Sequence, residues 1–141
     1  MKLFVTEAGT QEMIDLFDRS DEHTLLVSVL AAVEVRSAVR RRQRVGDISG
    51  ADADSVIATL VQETGRIVEH PITAGAIAQA TGLIDRHGLR ALDSVQLACA
   101  MIARSGLPQN DSLRFVASDI KLLESAQREG LLVWNPETGR P

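Results

Sequence analysis

Four short apolar runs, separated from one another by helical patterns, constrain the fold of this chain more than any other feature. They span 24–28, 67–70, 113–117 and 131–134, and their length and composition predict buried strands. Strands that helices separate in sequence pair in parallel through right-handed crossovers. We therefore predict an α/β fold, a three-layer α/β/α sandwich with a central, mainly parallel sheet.

Apolar residues at helical spacing fill most of the remaining sequence. They predict helices at about 10–19, 29–45, 54–62, 73–88 and 120–128, and a further one within 87–106. The helix within 87–106 has hardly any polar face, so we expect it to be buried. The polar stretch from Ser49 to Asp54 is predicted to be a loop.

The composition is that of one ordinary globular domain, expected over 1–141. With 141 residues and 45% hydrophobic content, the chain can bury a core of its own. The longest apolar run, 25–33, is too short to span a bilayer, and no signal peptide is recognised, so we expect a cytoplasmic protein. The single cysteine, Cys99, excludes an internal disulfide and is expected in the core. The three histidines lack metal-ligand spacing and are expected at the surface or at strand ends.

An aspartate stands at the carboxyl end of the third predicted strand. The chain runs from Leu113 to Ala117 as a strand and turns at Ser118 and Asp119 into a helix. Ligands of open α/β sheets bind at the carboxyl ends of strands, which makes Asp119 a candidate site residue. Asp is also a favoured N-cap residue, so capping the next helix is the alternative explanation.

Two further acids, Glu34 and Asp93, stand among apolar residues, where an unpaired charge is costly. Glu34 lies on the helix after the first predicted strand, and an ion pair with an arginine would explain it without a ligand. Asp93 lies near the start of the buried helix, where a favourable interaction with the helix dipole is the alternative.

Convergence of these three acids would create a site for a hard divalent cation. Helices that follow parallel strands begin at the edge where those strands end, so Glu34, Asp93 and Asp119 can meet there. Mg²⁺ prefers carboxylates, waters and phosphate oxygens as ligands, and it can activate a water for attack on a phosphate. Ser118 could position that water.

A local basic cluster interrupts an otherwise acidic composition. The formal net charge is -4, which provides no overall positive field for nucleic acid. Five arginines nevertheless fall within 36–44, at positions 36, 40, 41, 42 and 44. They form either a solvated helix face or a patch that contacts phosphates.

Three segments of the chain, taken in order, resemble a known family. The segments LLVSVLAAVEVRSAVRRR, HGLRALDSVQLACA and LRFVASDIKLLESAQREGLLVWNP are similar to PIN-domain proteins, in particular to the VapC-like toxins of bacterial toxin-antitoxin pairs. The resemblance covers nearly the whole chain. It implies a small α/β nuclease that cuts RNA with Mg²⁺ or Mn²⁺, commonly dimerises and is held inactive by an antitoxin protein.

The resemblance also implies roles for individual residues. Glu34, Asp93 and Asp119 match the three acids of the family that hold metal and carry catalysis, and Ser118 matches a small hydroxyl position beside the last acid. Apart from the resemblance, positive charge makes four arginines candidate contacts to RNA phosphates: Arg40, Arg41, Arg44 and Arg90.

The sequence departs from the family pattern at its start. PIN proteins usually open with a strand that carries a metal-binding Asp, followed by a stretch similar to MKLFVTEAGT. We therefore expect that first strand and its Asp to be absent here, which would leave strand edges at 24–28 and 114–118 unpaired. The two edges could close on each other, another chain could fill the gap, or the natural protein could begin upstream of Met1.

Two other functions compete with the ribonuclease. One is a catalytically impaired PIN-like binding protein that dimerises or binds an antitoxin-like partner, in which the acids have only structural roles. The expected absence of the first strand and its Asp favours this function. The other is a response-regulator-like receiver, but the acidic pair typical after the first strand of such a domain is not found.

Overall fold

Helices account for most of the chain in the computed structural model, which describes residues 8–19, 22–63, 65 and 67–139. Expectations that concern Met1 to Glu7 lie outside these residues. The chain divides into two units, Met1–Glu69 and His70–Pro141. The prediction of a single domain stays a prediction.

Among its described residues, the first unit contains three helices and two short strands that pair with each other. Its elements are α1 (Thr10–Asp18), β1 (Leu26–Ser28), α2 (Ala31–Arg44), α3 (Gly50–Glu63) and β2 (Val68–His70, whose last residue opens the second unit). The sheet is anchored where the backbone amide of Val68 donates to the carbonyl of Leu25, at 2.8 Å. Each element lies within a few residues of its predicted position, except the start of α3.

The prediction of a loop from Ser49 to Asp54 is wrong, because α3 begins at Gly50. Ser49 and Asp52 form a capping box: the Ser49 hydroxyl accepts from the Asp52 amide at 3.1 Å, and the Ser49 amide donates to the Asp52 carboxylate at 3.3 Å. Ala53 is fully buried and holds this first turn against the core of the unit. The reciprocal capping bonds and the buried methyl group of Ala53 stabilise a helix here, although the composition of 49–54 is typical of a turn.

The core of the first unit lies between α2 and α3. Val39, Ala53 and Ile57 form a buried cluster. Beside it, Arg40 donates to Asp54 at 2.7 Å and joins the two helices through an ion pair.

The second unit combines three helices with a parallel pair of strands. Its elements are α4 (Ala74–His87), α5 (Ala91–Ser105), β3 (Arg114–Val116), α6 (Ile120–Arg128) and β4 (Leu132–Trp134). The strands pair in parallel with Phe115 opposite Val133, and α6 provides the crossover between them. An α/β fold is thus confirmed. The described residues form two two-stranded sheets, so the central sheet of a three-layer sandwich stays a prediction.

One apolar cluster unites the elements of the second unit. Leu83 of α4 and Leu97 of α5 are fully buried, and they share the cluster with Leu122, Leu123 and Val133. Burying one such side chain contributes roughly 1.5–3 kcal/mol. The helices α5 and α6 are therefore packed on the same core. The buried helix predicted within 87–106 is confirmed. Cys99 is buried, as expected.

An ion-pair network joins the last turn of α4 to the end of α6. Glu129 accepts from the guanidinium of Arg86 at 2.9 Å and from Nε2 of His87 at 2.7 Å. The expectation that each histidine lies at the surface or at a strand end is wrong for His87, whose side chain is 9% exposed in a helix. These hydrogen bonds lower the pKa of Glu129, with that from His87 contributing most.

Candidate functional site: an acid pair at the starts of two helices

The carboxyl groups of Asp93 and Asp119 interact electrostatically. Asp93 lies in the first turn of α5, and Asp119 is the N-cap of α6. The pKa of Asp93 is raised, first by burial of its carboxyl group and then by the negative charge of Asp119, while Arg90 opposes the shift. Asp93 is half-buried and Asp119 is exposed. The structure therefore brings together two of the three acids predicted from the sequence.

Asp119 has a structural role as well. Its Oδ1 accepts a hydrogen bond from the backbone amide of Leu122 at 2.9 Å, so the predicted capping of α6 is confirmed. Its Oδ2 accepts no hydrogen bond from the described part of the chain. A single carboxylate can thus cap the helix with one oxygen and offer the other to a ligand.

Ser118 lies between the end of β3 and this cap. It is half-buried, and within the described ranges its hydroxyl forms no hydrogen bond. The hydroxyl adjoins the acid pair along the chain, as the sequence predicted, and its role towards a water stays a prediction.

Positive charge accompanies the acid pair. Arg90 immediately precedes α5 and acts electrostatically on Asp93. Lys121, two residues after Asp119, donates from Nζ to the carbonyl of Gly88 and links the α4–α5 connection to α6. Sequence reasoning missed Lys121, whose only signal was its position beside Asp119. These cations favour an anionic ligand at the site.

Glu34 lies in the first turn of α2, in the first unit, where it is half-buried. An acid there interacts favourably with the helix dipole. Over residues 8–19, 22–63, 65 and 67–139, no group of three or more His, Cys, Asp or Glu side chains is arranged to hold a metal ion. The place of Glu34 in a metal site accordingly stays a prediction.

Besides Glu34, the first unit has a buried polar group, the Ser28 hydroxyl, that the sequence did not predict. Ser28, at the carboxyl end of β1, is 2% exposed, and its hydroxyl has no hydrogen-bond partner among the residues that the structure describes. Such a buried hydroxyl costs about 1–3 kcal/mol. A strand-end serine carries no sequence signal for this, because burial without a partner is a property of packing.

The arginines of α2 differ in what they contact. The guanidinium of Arg40 is engaged by Asp54 and by Gln43, at 2.7 and 2.8 Å. Arg41 and Arg44 are exposed and form no ion pair or side-chain hydrogen bond with described residues. Their guanidinium groups can reach a phosphate without breaking an existing contact, whereas that of Arg40 cannot.

Comparisons with known proteins identify no relative: no family model matches the chain, and no curated protein is significantly similar to it. The described helices include none that is long and apolar enough to cross a membrane.

Proposed function

We propose that the chain is a PIN-type ribonuclease of the VapC-like toxin class, which hydrolyses RNA phosphodiester bonds with Mg²⁺ or Mn²⁺. The observation that carries this proposal is the acid pair Asp93 and Asp119 at the starts of two helices packed on one core. Besides burial, the negative charge of Asp119 raises the pKa of Asp93, and a bound cation would stabilise the ionised form of Asp93. Carboxyl groups with a perturbed pKa are often found at functional sites.

The residues at the pair fit a hard divalent cation. Mg²⁺ needs only one or two protein carboxylates, because waters and substrate phosphate oxygens complete its shell. Asp93 and Asp119 would hold it, and the family resemblance alone proposes Glu34 as a third acid. When bound, such an ion would lower the pKa of a nearby water and would neutralise the negative charge that develops on the phosphate while the phosphodiester bond is displaced.

The side chains around the pair have separable tasks. Asp119 supplies Oδ2 while its Oδ1 keeps the start of α6 in place. The Ser118 hydroxyl orients a water by hydrogen bonding. Arg90 and Arg41 attract the RNA backbone, and such contacts make binding weaken as salt is added.

The finer fold and the partners belong to the same proposal. The parallel β3–β4 pair with its α6 crossover is the unit from which a three-layer α/β/α sandwich of the PIN type is built. A toxin of this class would dimerise and would be inhibited by an antitoxin protein. RNA is the proposed substrate.

The proposal is tested by incubating the purified chain with single-stranded RNA and Mn²⁺ or Mg²⁺, with and without EDTA. Cleavage is expected only with metal, and Asp93→Asn should abolish it. Asp111→Asn, which changes an exposed loop acid of the same unit, is the matched control and should cleave like the parent. Cleavage that persists in EDTA or in Asp93→Asn would refute the assignment of these acids.

A second candidate, a catalytically impaired binding protein, is favoured by the capping bond of Asp119, which explains this acid without metal. Intact RNA in the presence of folded chain and metal would support it. Capture of a second copy or of an antitoxin-like peptide would then be measured by light scattering and by titration calorimetry.

A further inference from the structure

A cavity of about 460 Å³ adjoins β4 in the second unit. The residues that line it are Arg114, Gln127, Trp134, Gly139 and the apolar segment 131–133. This volume lies in the range of small-ligand sites. The acid pair is not part of the lining.

The register of the sheet explains why an aromatic ring and a cation meet there. Arg114 pairs with Leu132 and Val116 pairs with Trp134, and side chains alternate between the two faces of a strand. Arg114 and Trp134 therefore project from one face, while Phe115 and Val133 project from the other and pack against the core. The backbone of a parallel pair holds the guanidinium and the indole on the same surface.

The three polar residues of the lining carry side-chain hydrogen-bond donors that are unpaired in the part of the chain that the structure describes. Within the described ranges, the Arg114 guanidinium, the Trp134 Nε1–H and the Gln127 amide form no hydrogen bond or ion pair. Arg114 is exposed and Trp134 is half-buried, so the ring keeps an accessible surface. A matching ligand is planar, rich in acceptors and negatively charged.

We propose that this cavity binds one nucleotide of single-stranded RNA, with the base stacked on Trp134 and the phosphate paired with Arg114. Aromatic rings beside cations are the usual platform for single-stranded nucleic acid. The choice of RNA rests on the proposed function. Gln127 offers an amide to the base edge or the ribose.

The position of the cavity suits a strand that also reaches the acid pair. Arg114 begins β3, whereas Ser118 and Asp119 follow its carboxyl end. Arg114 and Asp119 are five residues apart, which at about 3.3 Å per extended residue sets an upper limit of roughly 16 Å on their separation. The cavity would thus hold the RNA close enough to the acid pair for one strand to reach both.

Trp134 itself reports on binding, because it is the only tryptophan and the chain has no tyrosine. A short single-stranded oligouridine RNA is titrated into the chain in EDTA, which prevents metal-dependent cleavage. Saturable quenching of tryptophan emission is expected. Arg114→Gln should weaken the apparent affinity about tenfold, within the range for one lost nucleotide contact. Arg128→Gln, a neighbouring exposed arginine that lies 3.6 Å from Glu124 of its own helix, should bind like the parent.

Trp134→Leu, followed through labelled RNA and checked for folding by circular dichroism, should lose a similar factor. Equal affinity of the parent and Arg114→Gln, or the absence of quenching, would overturn the proposal. Uridine monophosphate that competes as strongly as the oligonucleotide would overturn the assignment to a strand, and an acidic peptide that alone quenches would overturn the assignment to RNA. Binding retained by a chain that cannot cleave would refute the nuclease and leave the cavity assignment standing.

Discussion

Replacing Asp119 separates its two roles, the cap on α6 and the charge beside Asp93. In Asp119→Asn the side-chain oxygen can still accept from the Leu122 amide, since Asn and Asp are comparable N-caps. The charge is lost, so the pKa of Asp93 should fall towards its usual range. In Asp119→Ala both the cap and the charge are lost.

The two variants should differ in stability by about 1 kcal/mol. Loss of a capping side chain costs roughly 0.5–2 kcal/mol, which at this chain length lowers Tm by about 3 °C per kcal/mol. The Asn variant loses the favourable dipole interaction, worth about 0.3–1 kcal/mol, but it also loses the repulsion of Asp93. We therefore expect it to stay within about 0.5 kcal/mol of the parent.

The assay combines thermal unfolding with an NMR titration of the side-chain carboxyl carbons. If the Asn and Ala variants are equally destabilised, the capping bond does not explain the position of Asp119. If the pKa of Asp93 is the same in the parent and in Asp119→Asn, the two carboxyl groups do not interact and the candidate site is refuted.

The pH dependence of Asp93 has a definite sign. Its pKa is higher in the folded chain than in the unfolded chain, so its contribution to stability is present below the unfolded pKa and is lost as the pH rises through the folded pKa. Asp93→Asn should thus raise the free energy of unfolding at neutral pH, and the gain should vanish in acid. Urea unfolding at several pH values measures it, and a loss of stability at neutral pH would contradict the raised pKa.

Three further outcomes are expected. Ser28→Ala should raise stability by about 1 kcal/mol, because it removes a buried hydroxyl that has no hydrogen-bond partner among the described residues; destabilisation in urea would show that the hydroxyl is satisfied. Glu129→Gln should lower the free energy of unfolding by about 1–2 kcal/mol at neutral pH. Because folding lowers the pKa of Glu129, the difference in stability between parent and variant should disappear as the pH falls through the folded pKa. A difference that does not change with pH would contradict the ion pairs. Changing Arg41 and Arg44 to Gln should make the slope of log K for RNA binding against log salt concentration shallower by about 0.7 per arginine. Arg40→Gln should chiefly lower stability. Equal slopes for the parent and the Arg41 and Arg44 variant would refute phosphate contacts by these two arginines.

Local signals predicted the elements well. The helix at 120–128 was predicted with the bounds that α6 has, because Asp119 caps its start and Gly130, with φ of 80°, follows its end. The start of α3 was missed since the composition of 50–53 resembles a turn, although the capping residues Ser49 and Asp52 were a usable signal.

The sequence was less informative about contacts distant along the chain. The pairing of Glu129 with His87 joins residues 42 positions apart, and no periodicity encodes it. The acid pair was predicted from the rule that helices following parallel strands begin at one edge of the sheet, which applies to Asp119 after β3. The rule does not apply to Asp93, because α5 follows α4 and not a strand. The cavity beside Trp134 depends on strand register, which side-chain alternation alone does not determine.

The binding of Mn²⁺ tests the central claim most directly. The chain is titrated with Mn²⁺ while the free ion is followed by electron paramagnetic resonance, in parallel with Asp93→Asn and with Asp111→Asn. The acid pair predicts saturable binding by the parent and by Asp111→Asn, and affinity reduced at least about tenfold in Asp93→Asn. Equal binding by all three chains, or no binding by the parent, would contradict a divalent metal site at Asp93 and Asp119.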